Sequence, residues 1–215
     1  MFIKVNYKYS DNIFEIKKEL RKLKDIFAAD FEIASAYTKK EKINMQSMLE
    51  NNNNIDFETK RQLQQKINSD GLSHPSLTTI THLSLACSED TAFVIICNNS
   101  HIRKIVLEFL VTTPKKQIWH NACFDFSHIY YHNNKLPLLY EDTQLLCKAL
   151  KNDVDSFKSN TRLKDLMANY YGDWAISKDN FTLEEMYNED MLRYTAIDSC
   201  ATYKLYKDYY EYKSY

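Results

Sequence analysis

The sequence predicts an α/β fold in which helices flank a mixed β-sheet. Short apolar runs typical of strands are interspersed with amphipathic segments of helical spacing, in the order strand, hairpin, helix, strand, helix and then further helices. No internal repeat or linker divides the 215 residues, so we expect a single domain over residues 1–215.

The N-terminal part is predicted to contain a short strand over residues 2–7 and an amphipathic helix over residues 12–24. The apolar face of this helix is formed by Ile13, Ile16, Leu20 and Leu23. Its other face is basic and carries Lys17, Lys18, Arg21, Lys22 and Lys24. We favour a solvated surface for this basic face over a contact with nucleic acid.

The strand predicted over residues 26–33 carries two acidic side chains on one face. Strand side chains point alternately to opposite faces, so Asp30 and Glu32 lie together, about 7 Å apart along the strand. The opposite, apolar face consists of Phe27, Ala29, Phe31 and Ile33. Two carboxylates so placed favour a hard cation such as Mg²⁺ or Mn²⁺, which prefers oxygen ligands. Taken alone, the pair is also typical of an exposed, solvated strand end.

Residues 38–70 are predicted to form a helical hairpin inserted after this strand. Thr38 and Glu41 have the spacing of a capping box, and two polar helices at 39–50 and 56–68 are separated by an asparagine run. Their low apolar content predicts an arm that projects from a compact domain. A clamp for a substrate or partner and a passive insertion are both consistent with this pattern.

The middle of the chain is predicted to contain strands and helices in turn. The predicted elements are strands at 79–87 and 92–97, a helix at 101–111 capped by Ser100, a strand at 117–120, a helix at 124–132 and a further element at 138–150. The remainder is predicted to be helical, with a polar loop at 152–161, a helix at 162–171 that ends at Gly172, a capping box from Thr182 to Glu185 and a long helix at 189–211.

The composition excludes several classes of protein. With only two glycines, the chain has no Gly-rich nucleotide loop and no Gly-x-Ser-x-Gly nucleophile motif. The net charge of −1 gives no overall basic field, so a nucleic-acid enzyme of this composition needs local basic patches or metal ions. Five scattered cysteines without a Cys-x-x-Cys predict free thiols. The chain shows no apolar signal segment and no apolar run of about 18 residues, so we expect a cytoplasmic protein (in the host cytoplasm if viral) without a membrane partner.

Further acidic residues follow downstream of the acidic strand. Asp125 begins a helix after a predicted strand, where a simple stabilisation of the helix dipole also accounts for it. Tyr194 and Asp198 are four residues apart in the last helix, so the phenol and the carboxylate share a face, as in any amphipathic helix. Asp142 is a possible ligand, but we favour a helix N-cap or a supporting role for it.

Together, the four carboxylates of Asp30, Glu32, Asp125 and Asp198 suit two divalent ions, Mg²⁺ or Mn²⁺. One ion would supply a hydroxide that attacks a phosphodiester, and the other would stabilise the leaving 3′-oxygen. A phenol has an ordinary pKa of about 10, so Tyr194 is expected to orient the attacking water rather than to act as a base.

The same residues resemble a known family. The ordered motifs Asp30-x-Glu32, Asn121-x-x-Phe124-Asp125 and Tyr194-x-x-x-Asp198 look like those of the DEDDy 3′→5′ exonucleases, which include ribonuclease D and the proofreading domains of family-A DNA polymerases. The resemblance covers roughly residues 26–206 and is closest to the proofreading domain of bacteriophage polymerases, here as a stand-alone chain. It implies a ribonuclease H-like fold with a five-stranded mixed sheet, and the metal-dependent removal of nucleoside monophosphates from DNA 3′ ends.

The resemblance implies a role in proofreading or DNA processing during phage replication. We expect single-stranded DNA or a DNA 3′ end as substrate, and a separate DNA polymerase is a further candidate partner. Two features depart from the family: the 38–70 hairpin replaces a short connection, and no polymerase region follows the last helix. The alternatives are the same chemistry on RNA, as in ribonuclease D, and a non-catalytic replisome subunit with this fold.

Residues that flank the motifs are candidates for contact with the substrate. The candidate substrate-binding residues are Asn121, Phe124, Arg162, Lys164 and Arg193. Base stacking and core packing both suit Tyr170, Tyr171 and Trp174.

Three histidines are not expected to be catalytic. His128 and His132 have the spacing of a zinc pair, but the glutamate of a His-Glu-x-x-His motif and a third ligand are missing, so a surface or packed pair is favoured. His120 is expected to be packed or hydrogen-bonded.

Overall fold

The chain folds into one mixed β-sheet with flanking helices, which confirms the predicted α/β class. A computed structural model describes residues 2–52, 54–69, 74–150, 161–176 and 182–212, with side chains to residue 210. Of the loop predicted at 152–161, all but the last residue lies outside the described ranges. Within those ranges, no helix combines the length and the apolar character needed to cross a bilayer. All five cysteines are free thiols, as predicted.

The strands of the sheet are β1 (Asn6–Ser10), β2 (Ile26–Ser35), β3 (Thr78–Ala86), β4 (Thr91–Ile96), β5 (Lys116–Trp119) and β6 (Tyr140–Asp142). Their spatial order is β1-β4-β3-β2-β5-β6, so β2 lies inside the sheet, antiparallel to β3 and parallel to β5. The described part of the sheet has six strands rather than five. β1 pairs with β4 at one edge of the sheet. At the other edge, β6 lies inside the element predicted at 138–150, and its three residues are too few to show the alternation of apolar and polar residues that predicts a strand.

The helices are α1 (Ile13–Lys22), α2 (Lys39–Asn51), α3 (Phe57–Ile67), α4 (Ser100–Thr112), α5 (Ala122–Asn133), α6 (Thr143–Leu150), α7 (Leu163–Tyr171) and α8 (Glu189–Tyr212). The capping box at Thr38 is confirmed. Gly172 follows α7 with a φ of 74°, a conformation that suits glycine at a helix end.

Three local predictions are wrong in detail. The first strand begins at Asn6 and not at residue 2, because its pairing with β4 starts at Thr91. The N-cap of α4 is Asn99, whose side chain accepts the N–H of Ile102, and not Ser100. The segment after Thr182 forms only a single 3₁₀ turn, and the Thr182 side chain makes no cap hydrogen bond there.

Alternating side chains give the sheet a core on each face. Phe27, Ala29 and Phe31 of β2 lie in the core that α1, α4 and α5 cover, as predicted for the apolar face of this strand. On the opposite face, α7 and α8 pack against strand residues such as Val94 and Ile96. α8 also packs against β2 and β3, so the β2 face that carries the carboxylates is covered by a helix.

The β2–β3 pairing has an irregularity beside the acidic residues. The register shifts between Glu32 and Ile33, which leaves Thr81 of β3 as an extra residue. The Thr81 hydroxyl donates to the backbone carbonyl of Glu32 at 3.0 Å, so this buried oxygen is satisfied by a side chain. The irregularity therefore lies next to the acidic side chains without leaving this carbonyl unpaired.

Asp142 caps two helices at once, in agreement with the supporting role predicted for it. Its carboxylate accepts backbone N–H groups of Asn121 and Ala122 at the start of α5, at 3.1 and 2.9 Å. It also accepts those of Gln144 and Leu145 in the first turn of α6, at 2.8 and 3.3 Å. One buried side chain thus fixes the entry into α5, the helix that carries Asp125.

We expect Asp142→Ala to lower the free energy of unfolding by about 1–4 kcal/mol, since each of two helices loses a cap that contributes about 0.5–2 kcal/mol. Urea denaturation measures this change. Asn12→Ala is the matched control, because Asn12 caps only α1 and its loss should cost no more than half as much. Equal urea midpoints for Asp142→Ala and the wild-type protein would contradict the double-cap account.

Candidate active site

Three carboxylates from two elements converge on one point. Asp30 and Glu32 of β2 and Asp198 of α8 each place a carboxylate oxygen within 4.8 Å of the others. Among the described residues this is the single group of at least three His, Cys, Asp or Glu side chains that could hold a metal ion. Glu32 and Asp198 are buried and Asp30 is half-buried, so the solvated strand end considered from the sequence does not form.

Side-chain contacts between the helix and the sheet bring Asp198 to this point. Ser199, its neighbour on α8, shares a 2.6 Å hydrogen bond with Ser84 of β3, and both hydroxyls are buried. Ser84 is the residue paired with Asp30 across the β2–β3 ladder. The contact therefore places α8 in register with the acidic residues of β2.

Asp125 adjoins the other three carboxylates without joining the tight group. It is buried on α5, and its Oδ1 accepts the backbone N–H of Phe31 at 3.1 Å. Phe31 lies between Asp30 and Glu32, so Asp125 is held against the centre of the acidic segment. Its charge acts on both neighbouring carboxylates.

Burial and mutual repulsion favour protons on these groups. Loss of hydration raises the pKa of Asp30, of Glu32 and of Asp198, and the neighbouring carboxylates raise the pKa of Asp30 and Glu32 further. Burial raises the pKa of Asp125 to about 8. The Oδ2 atom of Asp30 is buried and has no hydrogen-bond partner among the described residues. An all-oxygen donor set with an unpaired buried atom fits divalent cations such as Mg²⁺ or Mn²⁺.

Lys164 of α7 links the phenol and the acid group of α8. Its Nζ donates to the Tyr194 hydroxyl oxygen at 2.6 Å and lies 3.4 Å from Asp198 Oδ2. The ammonium also lies 4.3 Å from the centroid of the Tyr194 ring. Burial, followed by the charges of Asp198 and Glu32, raises the pKa of Tyr194, so the phenol keeps its proton. Lys164, predicted to contact substrate, is placed inside the site.

The other predicted substrate-binding residues lie at different depths. Asn121 is exposed, in the left-handed region with a φ of 63°, and its side chain makes no cap hydrogen bond to α5. Phe124 is half-buried and its ring contacts that of His128, with 5.6 Å between centroids. Arg162 is exposed and pairs with Asp165 at 2.6 Å. Arg193 is exposed on α8. The structure thus places Lys164 in the acidic site and the two arginines on the surface.

The aromatic residues of the late segment separate into core and surface. Tyr171 and Trp174 are buried, and their rings pack edge to face at 5.8 Å, so core packing describes both. Tyr170 is 39% exposed and lies under the ammonium of Lys204. The Nε1–H of the Trp174 indole donates to Asp198 Oδ1 at 2.5 Å. This contact was not predicted, because the spacing of the two residues in the sequence carries no recognisable signal.

His120, His128 and His132 occupy the hydrogen-bonded, packed and surface positions that the sequence favoured. His120 lies 2.9 Å from the Thr143 hydroxyl through Nδ1 and 2.9 Å from the Thr161 carbonyl oxygen through Nε2. His128 is fully buried, whereas His132 is exposed. Of the described residues, none forms a third ligand with this pair.

Comparison with solved structures shows the fold. No protein-family model and no curated protein sequence matches the chain. NrnC of Brucella melitensis bound to pGG is similar with a TM-score of 0.60 and 14% identity, over 98% of this chain and 81% of that one. The Nibbler EXO domain of Aedes aegypti gives a TM-score of 0.62 and 13% identity, over 100% of this chain and 93% of that one.

Escherichia coli RNase D, described as an exoribonuclease involved in structured RNA processing, gives a TM-score of 0.51 and 12% identity over 98% of this chain and 46% of that one. Identities this low establish a shared fold and not a shared activity. The chain therefore has the ribonuclease H-like fold that the sequence predicts.

The carboxylate pKa values predict how stability depends on pH when no metal is bound. A carboxyl group with a raised pKa keeps its proton in the folded protein after the unfolded chain has released it. Stability therefore falls as the pH rises from the ordinary carboxyl range, about 4, towards the value of about 8 for Asp125. In EDTA at pH 8 we expect Asp30→Asn to raise the melting temperature by about 2–4 °C, which corresponds to about 1 kcal/mol.

Thermal unfolding from pH 5 to pH 8 checks this, and the advantage of the variant should shrink towards pH 5. Glu108→Gln, which neutralises an exposed carboxylate of α4, should show no such trend. An Asp30→Asn protein that melts below the wild-type protein at pH 8 in EDTA would contradict the argument.

Proposed function

We propose that this protein is a metal-dependent 3′→5′ exonuclease. The observation that carries the proposal is the cluster of Asp30, Glu32 and Asp198, joined by Asp125, with the phenol of Tyr194 beside it. Fold-level likeness supports it: NrnC has been solved with bound Mg²⁺, and E. coli RNase D is an exoribonuclease. The order of the motifs along the chain supports the 3′→5′ polarity.

Asp30, Glu32, Asp125 and Asp198 would hold two divalent ions, Mg²⁺ or Mn²⁺. When bound, such ions supply a hydroxide nucleophile and stabilise the charge that develops on the leaving oxygen. The chain contributes largely buried carboxylates for them, carried by β2, α5 and α8.

Tyr194 acts as a donor in this proposal. An ammonium group can only donate, so the Tyr194 oxygen accepts from Lys164 and its own proton is directed to another acceptor. In the structure that acceptor is Asp198, and during the reaction the attacking water takes this place. The phenol therefore orients the nucleophile, and Lys164 holds the phenol.

The substrate is proposed to be a single-stranded 3′ end, cleaved one nucleoside monophosphate at a time. The motif resemblance favours DNA, with proofreading or processing in phage replication and a separate polymerase as partner. RNA is the second candidate, because RNase D is an exoribonuclease and NrnC has been solved with pGG. Ions that act on the phosphate do not distinguish the two sugars.

Degradation of a 5′-labelled single-stranded DNA and its RNA copy tests the function. With Mg²⁺ or Mn²⁺ we expect a ladder of products shortened from the 3′ end, and none in EDTA. Asp125→Ala and Asp198→Ala should remove the activity, because each deletes a proposed metal ligand, while circular dichroism shows a folded protein.

A ladder from RNA alone assigns the protein to RNA processing. Undiminished cleavage by both variants, or cleavage that persists in EDTA, refutes the proposed site. Absence of cleavage on both substrates leaves the non-catalytic subunit as the better account.

A further inference from the structure

The helical arm, α2 and α3, carries side chains that the core does not use. Neither helix contains a buried residue, and the two helices pack mainly on each other. Large apolar groups are left in solvent: Phe57 is 82% exposed and Ile43 is 68% exposed. The arm therefore contributes little to the stability of the domain, and its surface needs another explanation.

One face of α3 has the composition of a nucleic-acid contact. Six exposed side chains recur at helical spacing and line one shallow groove: Phe57, Lys60, Arg61, Gln64, Gln65 and Asn68. The set contains two cations, three amides and one aromatic ring, and no carboxylate. Cations contact phosphates, amides bond bases and sugars, and an aromatic ring stacks on a base. Protein-binding surfaces, by contrast, are depleted in lysine and richer in aromatic residues at their centre.

The base of the arm is fixed to β2, the strand that carries Asp30 and Glu32. Ser69, two residues after α3, shares a 2.5 Å hydrogen bond with Ser35, the last residue of β2. Ser35 lies three residues beyond Glu32, a distance of about 10 Å along a strand. α3 is about 16 Å long, so its groove runs outwards from a point near the acidic cluster.

We propose that this face of α3 binds the single-stranded nucleic acid that leads to the 3′ end in the active site. The inference rests on the proposed function for its choice of partner. Arg61 pairs with Glu58 at 3.0 Å on the open surface, and such exposed pairs contribute little, so a phosphate can replace the carboxylate. The arm thus adds affinity for strands long enough to reach it.

The test is equilibrium binding in EDTA, where metal-dependent cleavage does not occur. The probes are 5′-fluorescein single strands of 4 and 20 nucleotides, as DNA and as RNA, followed by anisotropy. The variant K60E/R61E reverses two charges of the groove, and K17E/K18E on α1 is the matched control for net charge. We expect K60E/R61E to weaken binding of the 20-nucleotide strand roughly tenfold. A plot of log K against the logarithm of the salt concentration should be less steep for this variant by about 1.4, which is about 0.7 for each of the two lost phosphate contacts.

Length dependence supplies the decisive comparison. The gain in affinity from 4 to 20 nucleotides should be large in the wild-type protein and small in K60E/R61E. Equal affinities of K60E/R61E and the wild-type protein for the long strand, or an equal loss in K17E/K18E, overturns the proposal. A wild-type dimer that K60E/R61E dissociates, with strand binding unchanged, shows instead that the arm is a protein interface. Because binding is measured without cleavage, failure of the exonuclease proposal would be seen separately.

A second inference concerns Trp174, and it rests on the proposed metal site. The buried indole donates its Nε1–H to Asp198 Oδ1 at 2.5 Å, while Oδ2 of the same carboxylate faces Lys164 at 3.4 Å. Each oxygen of Asp198 thus has a partner, and the Tyr194 hydroxyl also donates to this carboxylate. The indole bonds Oδ1 and thereby fixes the rotation of the carboxylate, so that Oδ2 faces the ammonium of Lys164.

We infer that Trp174 is a positioning residue that holds the Asp198 carboxylate in the orientation in which it would ligate a metal ion. Trp174→Phe and Trp174→Met delete the N–H and keep apolar bulk against Tyr171. Both should raise the dissociation constant for Mn²⁺ roughly tenfold or more, the usual effect of removing a group that orients a metal ligand. Calorimetry with Mn²⁺ alone, without substrate, measures this.

Tyr171→Phe is the control, because it removes a hydroxyl from the same part of the core. That hydroxyl donates to the carbonyl oxygens of Glu89 and Cys200 and lies outside the acidic cluster. Its affinity for Mn²⁺ should match that of the wild-type protein. Wild-type affinity in either folded Trp174 variant, or an equal loss in Tyr171→Phe, overturns the inference. A wild-type protein that binds no Mn²⁺ refutes the proposed metal site itself.

Discussion

Negative charges that share a buried space repel one another, and this repulsion governs the chemistry at the centre of the protein. Asp30, Glu32 and Asp198 lie within reach of one ion, beneath a helix that excludes much of the water. Lys164 and the indole of Trp174 offset part of the charge, but none of the described residues forms a hydrogen bond with Oδ2 of Asp30. Such a site costs stability in the metal-free protein and in return gives strong attraction for a divalent cation.

The acidic groups are held in place by backbone and side-chain hydrogen bonds from the surrounding elements. Asp125 accepts the N–H of Phe31, and the helix that carries Asp125 begins on the carboxylate of Asp142. Asp142 also starts the next helix, and Ser84 joins Ser199 of α8 to the sheet. Functional groups supported in this way keep their geometry when charge and ligands change, which the proposed cleavage of a phosphodiester would require.

The helical arm, in contrast to the acidic site, is solvated and packs little against the core. It is attached at the end of β2, yet neither helix contains a buried residue. Substitutions in the arm should therefore leave the geometry of the acidic site unaltered, because they do not affect contacts in the core. This division is consistent with the two proposals, in which the core performs the chemistry and the arm binds the remainder of a long strand.

The sequence by itself determined the pattern-based features of this protein. The alternation in β2, the helical spacing of α1 and the polar helices of the arm are local, so their periodicity was sufficient. The positions of Asp30, Glu32, Asp125 and Asp198 could be proposed because their order and spacing resemble a family. Three features depend on contacts between residues far apart in the sequence, and only the tertiary structure decided them. They are the three-residue strand β6, the double cap at Asp142, and the bond from Trp174 to Asp198. Lys164 was recognised as a cation, but its place against Tyr194 follows from the packing of α7 on α8, for which a linear pattern has no signal.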